Sequence, residues 1–311
     1  MTNPKFFEPK NSLKLFGLES HFKFLSDLYI NQNLPKVLMF TGQKGSGKST
    51  LINHFLFSIF DEKNYDKDNF TLSKTSNIYS QFRNNIFSNI IYVSGSDYQS
   101  VKVEEIRNIK NKILQTSIMN NSRFIILDDV DLFNLNSLNA LLKIIEEPNE
   151  NNFFFLINNK TRPLIDTIKS RTLNLNIILN EIQRFQIINE LKKHFDFDFV
   201  LDPKSSNLSP GNFVKYNHIF KEYDISIDND FIENISILLN LFKKNKDNIY
   251  KDLVFFITEI YFKKLQKNKS LKKEKIYDNK NFIFENLNKF LLYNINQNSL
   301  INAINNKLNE E

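Results

Sequence analysis

The sequence predicts an α/β fold: a mostly parallel sheet carrying a phosphate-type loop, then a small helical segment and an all-helical C-terminal region. Three observations predict it. The apolar run Val37–Phe40 stops at a glycine-rich turn and is followed at once by a helical stretch, Leu51 to Leu56. Through about residue 175, short apolar runs of strand length alternate with amphipathic stretches of helical period, the pattern of a parallel sheet covered on both faces. After Asn180 the strand signal fades and helical periodicity runs to the end.

Taken in order, residues 1–16 are polar with scattered apolar positions. Leu18, Phe22, Leu25 and Tyr29 make one helical face, and Pro35 breaks the chain before the first strand. The polar, charged stretch Asp61 to Ser80 reads as an excursion. Ile90 to Val93 is a short buried-type strand, Gly95 to Ser100 a turn, and Val101 to Leu114 an amphipathic helix carrying Val103, Ile106, Ile109 and Ile113. Arg123 to Leu127 is a continuous apolar strand ending in Asp128, Asp129 and Asp131. Asn134 to Glu147 is a helix that stops before Pro148, since the residue before proline is pushed out of helical geometry. Phe153 to Ile157 is another buried strand, Ile165 to Ser170 a short helix, and Leu173 to Ile178 a last strand. Glu181 to Phe195 and Phe213 to Phe220 read as helices on either side of a Ser209-Pro210-Gly211 turn. Four helical segments follow, near 229–244, 247–268, 279–295 and 298–308.

Composition narrows the function classes. With no cysteine, disulfides, cysteine-based zinc sites and thiol chemistry are excluded, and the four histidines show no metal-type spacing. No apolar run approaches the length of a membrane span and the first residues are no signal peptide, so a cytoplasmic protein without membrane contact is expected. The net charge of +6 permits contact with nucleic acid without requiring it. Much of the lysine excess lies in Phe262 to Lys275, where a charge run reads first as a solvated face.

The chemistry is concentrated in Gly42-Gln43-Lys44-Gly45-Ser46-Gly47-Lys48-Ser49-Thr50, which fits G-x-x-x-x-G-K-[ST] between a strand and a helix. Gly42, Gly45 and Gly47 let the backbone turn tightly and aim N–H groups at phosphate oxygens. The positive end of the following helix faces the same anion. Lys48 would reach the β- and γ-phosphates and Ser49 would ligate Mg²⁺. ATP with Mg²⁺ is the expected cofactor, and no zinc. At the carboxyl end of a parallel strand, where such sheets bind ligands, Asp128 is placed to support that Mg²⁺.

Between Val101 and Arg171 the residues become specific. The blocks Val101 to Arg107, Ile125-Ile126-Leu127-Asp128-Asp129, Asn139-Ala140-Leu141-Leu142-Lys143…Glu146-Glu147-Pro148 and Ser170-Arg171 resemble the clamp-loader branch of the AAA+ ATPases. Within it they resemble the delta prime type of bacterial DNA polymerase III subunit. The resemblance covers roughly residues 12–215, and the rest matches only in being helical. It implies an AAA+ P-loop core over residues 1–177, a small helical lid over 178–224 and a helical C-terminal collar over 225–311.

Residue by residue, the resemblance makes Asp128 the Walker B aspartate. Asp129 stands where active members usually carry a glutamate that orients the attacking water; it is one methylene shorter. Asn159 takes the sensor position at its strand end, with Asn158 as the fallback, and a simple turn is the alternative for both. Arg171 matches the arginine that reaches a neighbouring subunit's ATP in trans, although Thr172 follows it where the family usually has cysteine. The motor subunits of the branch, gamma and tau, carry a four-cysteine module after the P-loop helix and a lid arginine. Here Asp61 to Ser80 replaces the module, and the lid reads Leu208-Ser209-Pro210-Gly211-Asn212. The implied partners are gamma/tau-type and delta-type subunits in a hetero-oligomeric ring, the sliding clamp, and primer–template DNA through the complex. The competing readings are a motor subunit that hydrolyses ATP in its own site, and another P-loop ATPase of DNA metabolism.

Overall fold

The computed structural model describes residues 7–95, 122–196, 198–204, 206–268, 272–293 and 295–309, together with Glu104, Ile106, Asn108 and Asn111. The Gly95 to Ser100 turn and the Val101 to Leu114 helix lie almost wholly outside the described residues. The chain divides into two compact units, Met1–Lys215 and Tyr216–Glu311.

The first unit is built on a five-stranded parallel sheet in the order β4-β5-β6-β1-β7. Its strands are β1 (Val37–Thr41), β4 (Ile90–Ser94), β5 (Arg123–Asp128), β6 (Asn152–Asn158) and β7 (Leu173–Asn176). The strand β1 lies between β6 and β7, with Val37 opposite Phe154 and Leu38 opposite Leu173. Side chains alternate across a strand, so β1, β5 and β6 each feed two cores. Leu38, Phe40, Phe124, Ile126, Phe153, Phe155 and Ile157 pack on one face, with helices α1 (Glu19–Ile30) and α2 (Lys48–Phe60). Val37, Met39, Ile125, Leu127, Phe154 and Leu156 pack on the other, with Leu138, Leu141 and Ile145 of α4 (Leu135–Ile145). Both faces are covered, which is why these strands read as unbroken apolar runs rather than as alternation. The predicted mostly parallel α/β sheet is therefore what forms.

Helix ends follow local chemistry. Asn134 caps α4 by accepting the Ser137 N–H at 2.8 Å. Asn180 caps α6 (Glu181–Phe195) in a reciprocal box with Gln183. The short α5 (Asp166–Lys169) leads into β7, and α7 spans Pro210–Glu222, three residues earlier than the periodicity of Phe213 to Phe220 suggests.

The Asp61 to Ser80 excursion is more ordered than its composition implies. It holds a two-stranded antiparallel ribbon, β2 (Tyr65–Asp66) and β3 (Thr71–Leu72), and then α3 (Asn77–Arg83). Tyr65, Leu72, Tyr79 and Phe82 bury themselves in the same core as α2. Ser76 caps α3 through the Tyr79 N–H at 2.9 Å and also bonds Asp61.

That docking creates a pH dependence. His54 is fully buried on α2, its Nδ1 3.1 Å from the Tyr65 hydroxyl. Burial pushes its pKa down to about 4, partly offset by the Ser12 backbone. An unfolded histidine titrates near ~6.5, so between these values the unfolded chain binds a proton that the folded chain refuses. Folding stability is full above that range and falls as pH drops through it. We expect a loss of about 2.5 kcal/mol from this residue between pH 7 and 4.5. Urea denaturation at both pH values checks it: His54→Leu should lose less than the native chain by that amount, and equal losses would refute it.

The second unit is helical, with α8 (Phe231–Asn245), α9 (Asn248–Asn268), α10 (Lys273–Tyr293) and α11 (Gln297–Asn309). Buried Leu238, Leu239, Leu253, Val254, Ile283, Leu287 and Ile304 supply the core, and Phe231 stacks on Tyr261 at 4.2 Å. Among the described residues no helix is long and apolar enough to cross a membrane.

Candidate nucleotide site

The site starts where β1 ends. Thr41 closes the strand, Gly42 to Gly47 form the loop, and Lys48 is the first residue of α2. Gly45 and Gly47 have φ of +83° and +93°, the left-handed region that side-chain-bearing residues avoid. Gly42 donates its N–H to the Asn158 carbonyl at 3.2 Å. Gln43 donates from Nε2 to the Asn207 carbonyl at 3.3 Å, and the Lys44 carbonyl accepts from the Ser209 hydroxyl at 2.6 Å. Ser46 is buried, its N–H closing on the Gln43 carbonyl at 3.2 Å, and Thr50 lies half-buried in the first turn of α2.

Lys48 is only 3% exposed, and its ammonium donates to the carbonyls of Gly42 at 2.7 Å and Gln43 at 2.8 Å. Burial lowers its pKa to about 8 against the opposing pull of Asp128, Asp129 and Asp131, while Lys160 adds to the lowering. A buried cation held by carbonyls, with three carboxylates acting on it, is poised to exchange those carbonyls for a more strongly charged acceptor.

The acidic side is equally constrained. Asp128 Oδ2 accepts the Ser49 hydroxyl at 2.9 Å and the Tyr92 hydroxyl at 2.7 Å, and its Oδ1 accepts the Asp129 N–H at 2.8 Å. Burial and the Asp129 charge raise the Asp128 pKa, opposed by those hydrogen bonds. Asp129 has φ +52° and takes the Asn159 amide at 2.6 Å. Asp131 accepts the N–H groups of Asn159 at 3.1 Å and Thr161 at 2.7 Å, so it holds the loop after β6. Of the two asparagines, Asn159 faces the acidic pair; Asn158 accepts the Lys160 N–H at 2.9 Å and shapes the turn.

The fold thus brings Gly42 to Thr50, Asp128, Asp129 and Asn159 together from three strand ends. Arg171 stays outside this network. Its guanidinium bonds Glu146 at 2.8 and 2.9 Å and the Thr167 carbonyl at 3.1 Å. Sequence reasoning missed Tyr92 and Asp131 as members. Tyr92 passes for an ordinary strand residue; the Asp-Asp-x-Asp run was the available signal for Asp131.

The residues present fit a magnesium–nucleotide. The loop has left-handed glycines and a buried lysine at its mouth, and the Ser49–Asp128 pair offers hard oxygen donors of the kind Mg²⁺ takes. Residues 17–180 match the family profile described as DNA polymerase III, delta subunit. The DNA polymerase III subunit gamma of Buchnera aphidicola subsp. Schizaphis graminum is 25% identical over 186 residues, 60% of this chain and 50% of that one. The subunit delta' of the same organism is 44% identical over 69 residues, 22% and 21% of the two chains. The chain therefore spans about half the length of the first of these relatives, and less of the second. A solved DNA polymerase III gamma subunit-related protein from Thermotoga maritima aligns with 93% of this chain and 97% of its own, at 14% identity and a TM-score of 0.44. With more than half of its length matched by that profile, the chain belongs to the DNA polymerase III delta subunit family.

Proposed function

We propose that the chain is a clamp-loader subunit of a replicative DNA polymerase, delta-prime-like, that binds ATP at its own loop and lends Arg171 to a neighbouring subunit's ATP. Gly42 to Thr50 would hold the phosphates, with Ser49 and Asp128 on Mg²⁺. The metal supplies charge neutralisation at the phosphates. Asp129, short by one methylene and engaged by Asn159, would hold an attacking water poorly. On this reading residues 1–177 form the nucleotide core, 178–224 the lid, and 225–311 the collar that joins gamma/tau-type and delta-type subunits. The assembled ring would place the sliding clamp on primer–template DNA.

The observation that carries this reading is the placement of Arg171. It follows α5, half-exposed, sharing no hydrogen bond with its own nucleotide network and steadied by Glu146. An arginine in that position serves transition-state charge only from outside its own site. Reconstituted with gamma/tau-type and delta-type partners, Arg171→Ala should lower the ATPase of the complex at least about twofold, because one site loses its finger. The isolated variant should melt within a few degrees of the native chain, since an exposed ion pair contributes about 0–1 kcal/mol. Unchanged ATPase would sink the trans role.

The assembled contact of Ser49 with Asp128 favours one second reading, a motor subunit turning over its own ATP. In that case Lys48→Ala in this chain alone would remove most turnover of the complex.

A further inference from the structure

We propose that Ser209 and Gly211, at the start of α7, are positioning residues that clamp the backbone of the phosphate loop; this rests on reading Gly42 to Thr50 as a nucleotide site. The contact is backbone-close. The Ser209 hydroxyl donates to the Lys44 carbonyl at 2.6 Å, and the Gly211 N–H donates to the Gly45 carbonyl at 2.9 Å. A Cβ on Gly211 would stand 2.8 Å from the Gly45 oxygen, and one on Gly45 would stand 2.4 Å from Ser209 Oγ. Gly211 is required by the approach of the Gly45 backbone, and Gly45 by the Ser209 hydroxyl and Asn212 together with its own left-handed φ, so neither position admits a side chain.

The clamp is itself held. Buried Arg184 of α6 donates to the carbonyls of Leu208 at 3.1 Å and Pro203 at 2.8 Å, fixing the segment that leads into Ser209. Gln43 adds a bond to Asn207 at 3.3 Å.

Peptide planarity turns these bonds into control over donors. In a trans peptide the carbonyl of one residue and the N–H of the next point in opposite directions. Tying the Lys44 carbonyl to Ser209 therefore turns the Gly45 N–H away from α7. Tying the Gly45 carbonyl to Gly211 likewise turns the Ser46 N–H away from α7, where it closes on the Gln43 carbonyl at 3.2 Å and holds the loop's own turn. The segment after Asn207 thus acts on the nucleotide through the loop's amides rather than through a side chain aimed at it.

The test is calorimetric titration of Mg²⁺-ATP into the full chain. Gly211→Ala should weaken binding about tenfold and Ser209→Ala by a similar factor, the value of one buried hydrogen bond that orients a donor. Ser209→Thr, which keeps the hydroxyl, should restore native affinity, a rescue that a merely structural role for the segment would not produce. Amide hydrogen exchange at Gly45 and Ser46 should quicken in both weakened variants, read beside circular dichroism that shows retained helix. If the native chain binds ATP and both Gly211→Ala and Ser209→Ala bind it equally well, the clamp is refuted and the nucleotide site stands. If the native chain binds no nucleotide, the site and the clamp fall together. If Gly211→Ala does not fold, Ser209→Ala with its threonine rescue decides the question.

Discussion

Lys48→Ala should weaken ATP binding by the isolated chain about a hundredfold, the worth of one charge-assisted hydrogen bond set to a phosphate in a site shielded from water. The side chain is already in place: buried, pointed into the loop, and held by two carbonyls that a polyphosphate would replace. The substitution should leave the fold intact, because the folded chain pays to keep this cation out of water. That cost is fully present below a pKa of about 8 and is relieved as pH rises toward the unfolded value of ~10.5. Over the same interval ATP affinity should fall, since the amine is then neutral and a bound polyphosphate must pull a proton back onto it. Titrating ATP into native and variant chains at pH 7.5 and 9.5 checks both statements. A variant that binds within threefold of native, or native affinity that is flat across that pH range, would remove Lys48 from the phosphates.

Phe124→Ala should destabilise the first unit by about 3–5 kcal/mol, the range for truncating a large buried aromatic residue. Phe124 is fully buried in β5, and its ring lies 5.1 Å from Phe153, 5.3 Å from Phe155, 5.8 Å from Phe60 and 6.2 Å from Phe55. Those neighbours come from β6 and α2, each anchored by its own hydrogen bonds, so the space has little freedom to collapse. Urea denaturation followed by circular dichroism measures it. A loss below about 1.5 kcal/mol would mean that the rings close over the gap and that the cluster is less rigid than its packing indicates.

Much of this arrangement is legible in the sequence because two physical signals are strong there. Strands covered on both faces are written as runs such as Phe124-Ile125-Ile126-Leu127, which need no partner to be recognised. The glycines of the loop are required by backbone angles, and a requirement of that kind shows as residue type. The two-residue strands Tyr65–Asp66 and Thr71–Leu72 show neither periodicity nor a run, and their burial depends on α2. Tyr92 joins the site only because register sets Ser94 against Asp128, which places its hydroxyl beside that carboxylate. The Ser209 bond to Lys44 spans 165 positions, and nothing local to either residue announces it. Asn158 and Asn159 are equivalent as letters; the alternation of β6 and the carboxylate of Asp131 decide which one turns toward Asp129.

The position of β1 inside the sheet has a consequence for how the protein is made. Its neighbours in the sheet are β6 and β7, and the residue opposite Val37 is Phe154, synthesised about 120 residues later. At ~5–20 residues per second the strand waits roughly 6–24 seconds on the ribosome without either partner. During that wait Val37-Leu38-Met39-Phe40 is an unpaired apolar edge, the kind of segment that recruits chaperones or other nascent chains. Loop, Asp128 and Asn159 meet only when β6 slides between β5 and β1, so nucleotide present during synthesis favours that insertion and rewards its completion.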